Sequence, residues 1–167
     1  MKVEQVMTVS PATCGLDDTL AQAMERMWDA DCGIIPVVDD TGRVILVMTD
    51  RDIAMASATR GLAPGNIRAR EMRHKPVISC RPDDGVQHAL RLMKTHRVRR
   101  LPVTTTEGVL HGIISIDDIA QCAGSGEPVT AVELLDALKS VVAPATAAQV
   151  AATADTREVF RGRPVRG

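Results

Sequence analysis

The chain has 167 residues, 45% apolar and 25% charged, with a formal net charge of −1. That length allows one ordinary domain or two very small ones around a sizeable core, and the near-neutral balance gives no global pull toward nucleic acid or a membrane surface. Trp28 and Phe160 are the only aromatic residues, which argues against stacking platforms for single-stranded nucleic acid and requires an aliphatic core. The opening "MKVEQVMTVS" has no continuous apolar run and reads as no signal peptide. No stretch approaches the roughly 20 apolar residues of a membrane span. Cys14, Cys32, Cys80 and Cys122 are widely spread with no CxxC, so reduced thiols and a cytoplasmic location are expected.

In chain order, a short extended piece around Ala12–Cys14 comes first. "LDDTL" then places Asp17 and Asp18 at a helix entrance, where side-chain oxygens are expected to satisfy free N–H groups. The helix that follows carries Leu20, Ala23, Met24, Met27 and Trp28 as one apolar stripe. A strand reaches Pro36–Val38, "DDTGR" reads as a hairpin turn, and a second strand runs Val44–Met48. A second helix starts at "TDRDIA". "RGLAPGNIRA" (60–69) is a connector, after which the pattern returns: an extended piece at Val77–Cys80, "PDDGV", a helix on Val86, Ala89, Leu90 and Met93, a strand to Pro102–Val103, the turn "TTTEG", a strand Leu110–Ser115 and the helix start "SIDDIA". Residues 129–142 form a further helix, with Val132, Leu135, Leu138, Lys139 and Val142 expected on one side. An Ala/Thr-biased stretch and the basic "REVFRGRPVRG" follow.

The return is a true repeat. Shifting by 66 aligns 14–54 with 80–120 at eleven identities in 41 ungapped positions, including Cys14/Cys80, Pro36/Pro102, Gly42/Gly108 and Asp52-Ile53-Ala54/Asp118-Ile119-Ala120. Upstream, Met7 meets Met72 only if one residue is inserted. A unit of about 50 residues struggles to bury its own apolar face. Two such units are therefore expected to pack about a pseudo-twofold axis. The expected fold is α/β with an α+β-like layout: two β-α-β-β-α repeats at 1–60 and 70–124, a linker at 61–69, a C-terminal helix at 125–142 and a flexible tail at 143–167.

The paired segments "CGIIPVVDDTGRVILVMTDRDIA" and "VRRLPVTTTEGVLHGIISIDDIA" resemble a tandem pair of CBS (cystathionine-β-synthase-type) domains, also called a Bateman module. The resemblance spans roughly 3–124, twice in register, and leaves the tail from about 143 uncovered. It implies a regulatory module with adenine-containing ligands (AMP, ADP or ATP, sometimes NAD or S-adenosylmethionine) in two clefts. It also implies dimerisation into a flat disc and, for a short chain of this kind, a sensor with no catalytic domain attached, acting on a downstream protein partner.

Two readings of the repeated motif stand side by side. Thr49-x-x-Asp52 and Ser115-x-x-Asp118 have the form of a capping box, hydroxyl to the first-turn N–H and carboxylate reaching back. The same carboxylates suit a ribose, whose two adjacent hydroxyls both donate, and a nearby helix N-terminus suits phosphate. The strands before Pro36 and Pro102 offer backbone edges and aliphatic walls for adenine, since proline has no N–H to donate. Candidate ligand-binding residues are therefore Gly33, Ile34, Ile35, Pro36, Thr49, Arg51 and Asp52, and Val77, Arg99, Arg100, Leu101, Pro102, Ser115, Asp117 and Asp118. Gly33 allows close approach of a ligand to the backbone. Arg99, Arg100 and Arg51 are candidates for phosphate, against the plain alternative of a solvated basic edge. Asp117 stands where the first copy has Arg51, so unequal sites are expected.

Weaker signals exclude more than they suggest. The four Cys and four His lack C-x₂₋₄-C or H-x₃₋₅-H spacing, so no metal is expected. Without GxGxxG or GxxxxGK[ST] no ATP hydrolysis is expected, and no catalytic residue or cofactor is assigned. Arg161-Gly162-Arg163-Pro164 resembles the core of a minor-groove-binding arm, a weak string that keeps DNA association as a third reading. The second reading is a ligand-free interaction scaffold of the same fold.

Overall fold

The computed structural model describes residues 1–73, 76–122 and 129–143. In the first repeat a two-residue strand, β2 (Cys14–Gly15), leads to helix α1 (Leu20–Asp29). Thr19 caps α1: its hydroxyl accepts from the Gln22 N–H at 3.2 Å, and the Gln22 side chain accepts from the Thr19 N–H at 2.9 Å. The capping role expected of Asp17 and Asp18 is thus corrected. Asp18 instead accepts from the Gly15 N–H at 2.8 Å, and Asp84 accepts from the Arg81 N–H at 2.8 Å. Each aspartate satisfies a turn N–H three residues upstream, before the helix begins. Asp18 also takes the Arg26 guanidinium. Partial burial works to raise the Asp18 carboxyl, but the bonds from Arg26 and Gly15 outweigh it and hold it below its ordinary value.

Strands β3 (Ile34–Val38) and β4 (Val44–Thr49) form an antiparallel hairpin, and helix α2 (Asp50–Arg60) follows. The turn is built on Asp39, whose Oδ1 accepts from the Thr41 and Arg43 N–H groups at 2.9 and 3.0 Å. The second repeat has helix α3 (Val86–His96), strands β5 (Arg100–Thr104) and β6 (Leu110–Ser115) and helix α4 (Ile116–Cys122). There Thr105 Oγ1 takes the place of the Asp39 carboxylate, accepting from the Glu107 and Val109 N–H groups. Cys14 pairs with Val37 and Cys80 with Val103, both in parallel. The two repeats therefore share the expected β-α-β-β-α order.

What joins them was less visible. The two three-stranded sheets have orders β2-β3-β4 and β1-β6-β5, where β1 (Thr8–Val9) lies in the sequence span of the first repeat but pairs with the second. The core follows the same exchange. Val3 is buried among Val86, Leu90, Leu101 and Ile114 of the second repeat, while Ile67, Ala69 and Met72 complete the first repeat's core with Leu20, Ile35 and Ile53. Backbone bridges Lys2–Gly85 and Thr19–Arg68 hold the exchanged segments, and each is the other's counterpart under the 66-residue shift. The hairpin turns meet reciprocally: Val44 N–H donates to Gly108 O and Leu110 N–H to Gly42 O, both at 3.0 Å. Residue i bonds j while j's counterpart bonds i's, as a twofold relation requires. The pseudo-twofold axis thus passes between Arg43 and Val109.

Helix α5 (Ala131–Val142) starts at a Thr130–Glu133 capping box and packs on α3. Its packed side is Leu134, Ala137, Leu138 and Val141. The stripe expected from sequence is corrected here: Val132, Leu135 and Val142 are exposed. Both sides of this helix are apolar, so periodicity alone did not choose between them.

Cys14 and Cys80 fill the two cores. Burial first, then the charge of Asp18, pushes the Cys14 thiol up to about 11; burial and Asp84 push Cys80 to about 12. Thiolate is the reactive form, so at pH 8 in the folded protein an alkylating reagent is expected to modify Cys32 and Cys122 and spare these two. Mass spectrometry counts the adducts, and unfolding should raise the count to four. Rapid native modification of Cys14 or Cys80 would contradict this packing.

Candidate functional site

The capping geometry of the repeated motif is complete in both copies. Thr49 Oγ1 accepts from the Asp52 N–H at 3.1 Å, and Asp52 Oδ2 accepts from the Thr49 N–H at 3.1 Å and its hydroxyl at 2.7 Å. Ser115 and Asp118 repeat this at 3.1, 2.7 and 2.7 Å. In each copy both bonds to the carboxylate use the same oxygen, Oδ2. Among the described residues Oδ1 of Asp52 and of Asp118 has no hydrogen-bond partner, so each carboxylate is rigidly oriented with one oxygen left over. Both are only part-buried.

The strand beside each motif is set by sheet register. Ile34 pairs with Thr49 and Arg100 with Ser115. One residue earlier, Gly33 O accepts from the Asp50 N–H at 3.4 Å and Arg99 O from the Ile116 N–H at 2.9 Å. The structure thus brings Gly33, Ile34, Thr49, Arg51 and Asp52 to one sheet end, and Arg99, Arg100, Ser115, Asp117 and Asp118 to the equivalent end of the other. Ile35 and Leu101 are both 0% exposed and belong to the two cores, and Pro36 and Pro102 are buried behind them. Val77 is half-buried in the extended piece before Cys80.

The copies differ in charge at these ends. In the second, Arg100 lies 3.9 Å from Asp117, so the acidic residue that replaces Arg51 faces a guanidinium. In the first, Arg51 is exposed and makes no ion pair among the described residues. Sequence reasoning missed two residues here. Asp50 lies against Gly33, so close that a Cβ at 33 would sit 3.3 Å from its Oδ2; its counterpart is the buried Ile116, and comparing the copies hid it. Thr8, in β1, pairs with Ile113, two residues from Ser115. The imperfect Met7/Met72 match was its only trace in the sequence.

Among the described residues no three or more His, Cys, Asp or Glu side chains gather where a metal ion would sit, and no helix is long and apolar enough to cross a membrane. His74, Lys75 and the Arg-Gly-Arg-Pro string lie outside the described residues.

Comparison with known proteins places this arrangement. The chain is 32% identical over 123 residues to the uncharacterised protein YlbB of Bacillus subtilis, covering 71% of this chain and 80% of that one. It is 32% identical over 116 residues to hypoxic response protein 1 of Mycobacterium tuberculosis, covering 70% and 80%. The crystal structure of Hypoxic Response Protein I, described with two coordinated zinc ions, superposes at a TM-score of 0.67 with 29% identity, covering 77% of this chain and all of that one. The CBS domain pair of protein MJ0100, crystallised with 5′-methylthioadenosine and S-adenosyl-L-methionine, shares the fold at a TM-score of 0.65 and 22% identity, covering 73% and 98%. The family model for the CBS domain matches twice, at residues 3–59 and 69–124, the two repeats that meet at Arg43 and Val109. This chain belongs to the CBS-domain family.

Proposed function

We propose that this protein is a regulatory sensor that binds an adenine-containing molecule (AMP, ADP or ATP, with NAD and S-adenosylmethionine as further members of the class) at the strand-end sites of its two repeats. The observation that carries this reading is the pair of pre-oriented carboxylates, Asp52 and Asp118, each with one oxygen engaged in the cap and one left over. An ionised carboxylate accepts from vicinal ribose hydroxyls in charge-assisted bonds, and a carboxylate already held by two hydrogen bonds loses little freedom when it does so. The adenosyl ligands of the MJ0100 pair support the same class. Arg99 and Arg100 suit phosphate, and Arg100 offsets Asp117, so the second repeat is assigned the phosphorylated end of the class. The first, with Asp50 and Asp52 against Arg51, is assigned the less anionic end.

The chain performs no chemistry in this reading. A ligand that prefers one arrangement of the repeats, within a homodimer in the cytoplasm, stabilises that arrangement by its differential affinity and changes contact with a protein partner. A melting panel tests it. At a hundred times Kd a native-state ligand adds about 2.7 kcal/mol, so at least one of AMP, ADP, ATP, NAD and S-adenosylmethionine is expected to raise Tm clearly. No rise with any of them would leave the ligand-free scaffold as the better reading.

A further inference from the structure

The first three N–H groups of α2 are all taken by the protein itself. Asp50 N–H donates to Gly33 O at 3.4 Å, Arg51 N–H to Asp50 Oδ1 at 2.6 Å and Asp52 N–H to Thr49 Oγ1 at 3.1 Å. Such groups are what a helix N-terminus offers to phosphate, and here the anion they meet is the chain's own Asp50 carboxylate. Its other oxygen, Oδ2, has no hydrogen bond among the described residues. That oxygen lies where a Cβ at residue 33 would come within 3.3 Å of it. The space opened by Gly33 is thus filled by Asp50 and is not kept for the tail of a ligand.

The second repeat is built the other way. Under the 66-residue shift Gly33 becomes Arg99 and Asp50 becomes Ile116. Ile116 is 3% exposed and belongs to the core, so no carboxylate stands at that place. Charge follows the same division. The first end sets Asp50 and Asp52 against Arg51, and the second sets Asp117 and Asp118 against Arg99 and Arg100. We infer that Asp50 is the specificity-determining residue of the first repeat: its carboxylate occupies the place of a 5′-phosphate and restricts that site to adenosine and 5′-substituted adenosines without phosphate. This rests on the adenine-ligand reading above and adds which member of the class the first repeat takes. A phosphate monoester carries about −2 charge at pH 7, and like charges set against each other are an effective means of rejecting a ligand. An uncharged adenosine still meets Asp52 Oδ1 through its ribose hydroxyls.

Calorimetry on the full chain carrying Asp118→Asn, the change expected to weaken the second site, reads the first. Adenosine is expected to bind there more tightly than AMP by about tenfold or more. Adding Asp50→Asn keeps an acceptor for the Arg51 N–H and removes the charge, so the preference should shrink toward equality. Asp50→Ala also frees that N–H and should turn the preference toward AMP. A thermal melt of each variant separates lost folding from changed preference. AMP bound to the Asp118→Asn chain as tightly as adenosine, or a preference for adenosine that survives both Asp50 changes, would overturn the inference and leave the adenine reading standing. So would adenosine binding by the native chain that is lost in Asp118→Asn, because the first repeat would then be no site. No binding of either molecule to the native chain would count against the reading itself, and the inference would fall with it.

Discussion

Asp52→Asn and Asp118→Asn, made together, are expected to weaken adenine-ligand binding by roughly 10- to 150-fold while barely changing stability. The reason lies in which atoms each task uses. The cap needs an oxygen accepting from the Thr49 N–H and hydroxyl, at 3.1 and 2.7 Å, and an asparagine carbonyl supplies one. The ligand needs the remaining oxygen and its negative charge, and asparagine replaces that oxygen with an NH₂ donor facing hydroxyl donors. Hydrogen bonds to charged groups contribute about 1.5–3 kcal/mol, which converts to the stated range in Kd. The control runs the other way. Thr49→Ala removes the hydroxyl that accepts from the Asp52 N–H at 3.1 Å and should cost about 1 kcal/mol in a urea melt, with a smaller effect on Kd. If Asn at both positions left binding intact while Thr49→Ala destroyed it, the motif would be a cap and nothing more.

Gly112→Leu is expected to be among the most destabilising single changes in the chain, although it only copies the first repeat. Its counterpart is Leu46, buried in the first core. At Gly112 a Cβ would lie 2.7 Å from the backbone oxygen of Thr8 and 2.9 Å from Met7 Sδ. The methionine can swing away; the Thr8 carbonyl belongs to β1, paired with β6 at Thr8–Ile113 and Val9–Gly112. A leucine there must push the exchanged strand off the sheet. Overpacking costs typically 1–3 kcal/mol, and loss of the β1 hydrogen bonds adds to it, against a total stability of about 5–15 kcal/mol for a native domain. A urea midpoint near that of the native chain would mean that β1 is dispensable. Leu46→Gly, the reverse exchange, should cost a cavity in the first core instead, about 2–5 kcal/mol on the scale of large aliphatic truncations.

These two sites also mark what was legible in the sequence. The repeated β-α-β-β-α order, the hairpin turns at Gly42 and Gly108, and the companionship of each Asp with the strand before its Pro were all readable, because each depends on spacing within one copy. The exchange of Val3 and Met72 between cores was not. A two-residue strand has no alternation to detect, and β1 meets β6 about a hundred residues later in the chain. The apolar stripe of α1 was recognised, yet periodicity tells which side of a helix is apolar and says nothing of whether a neighbour covers it. Leu90 has α5 above it; Met24 and Trp28 do not. The same gap explains α5, where two apolar sides competed and Leu134, Ala137, Leu138 and Val141 were the ones that met α3.

The most direct measurement is of what the folded protein already carries. Purified without added nucleotide, desalted and then denatured, the native chain is predicted to release an adenine-containing small molecule visible by mass spectrometry, and the Asp52→Asn, Asp118→Asn chain to release far less. Equal release from both chains, or release of a molecule with no adenosyl group, would contradict the role given to those two carboxylates.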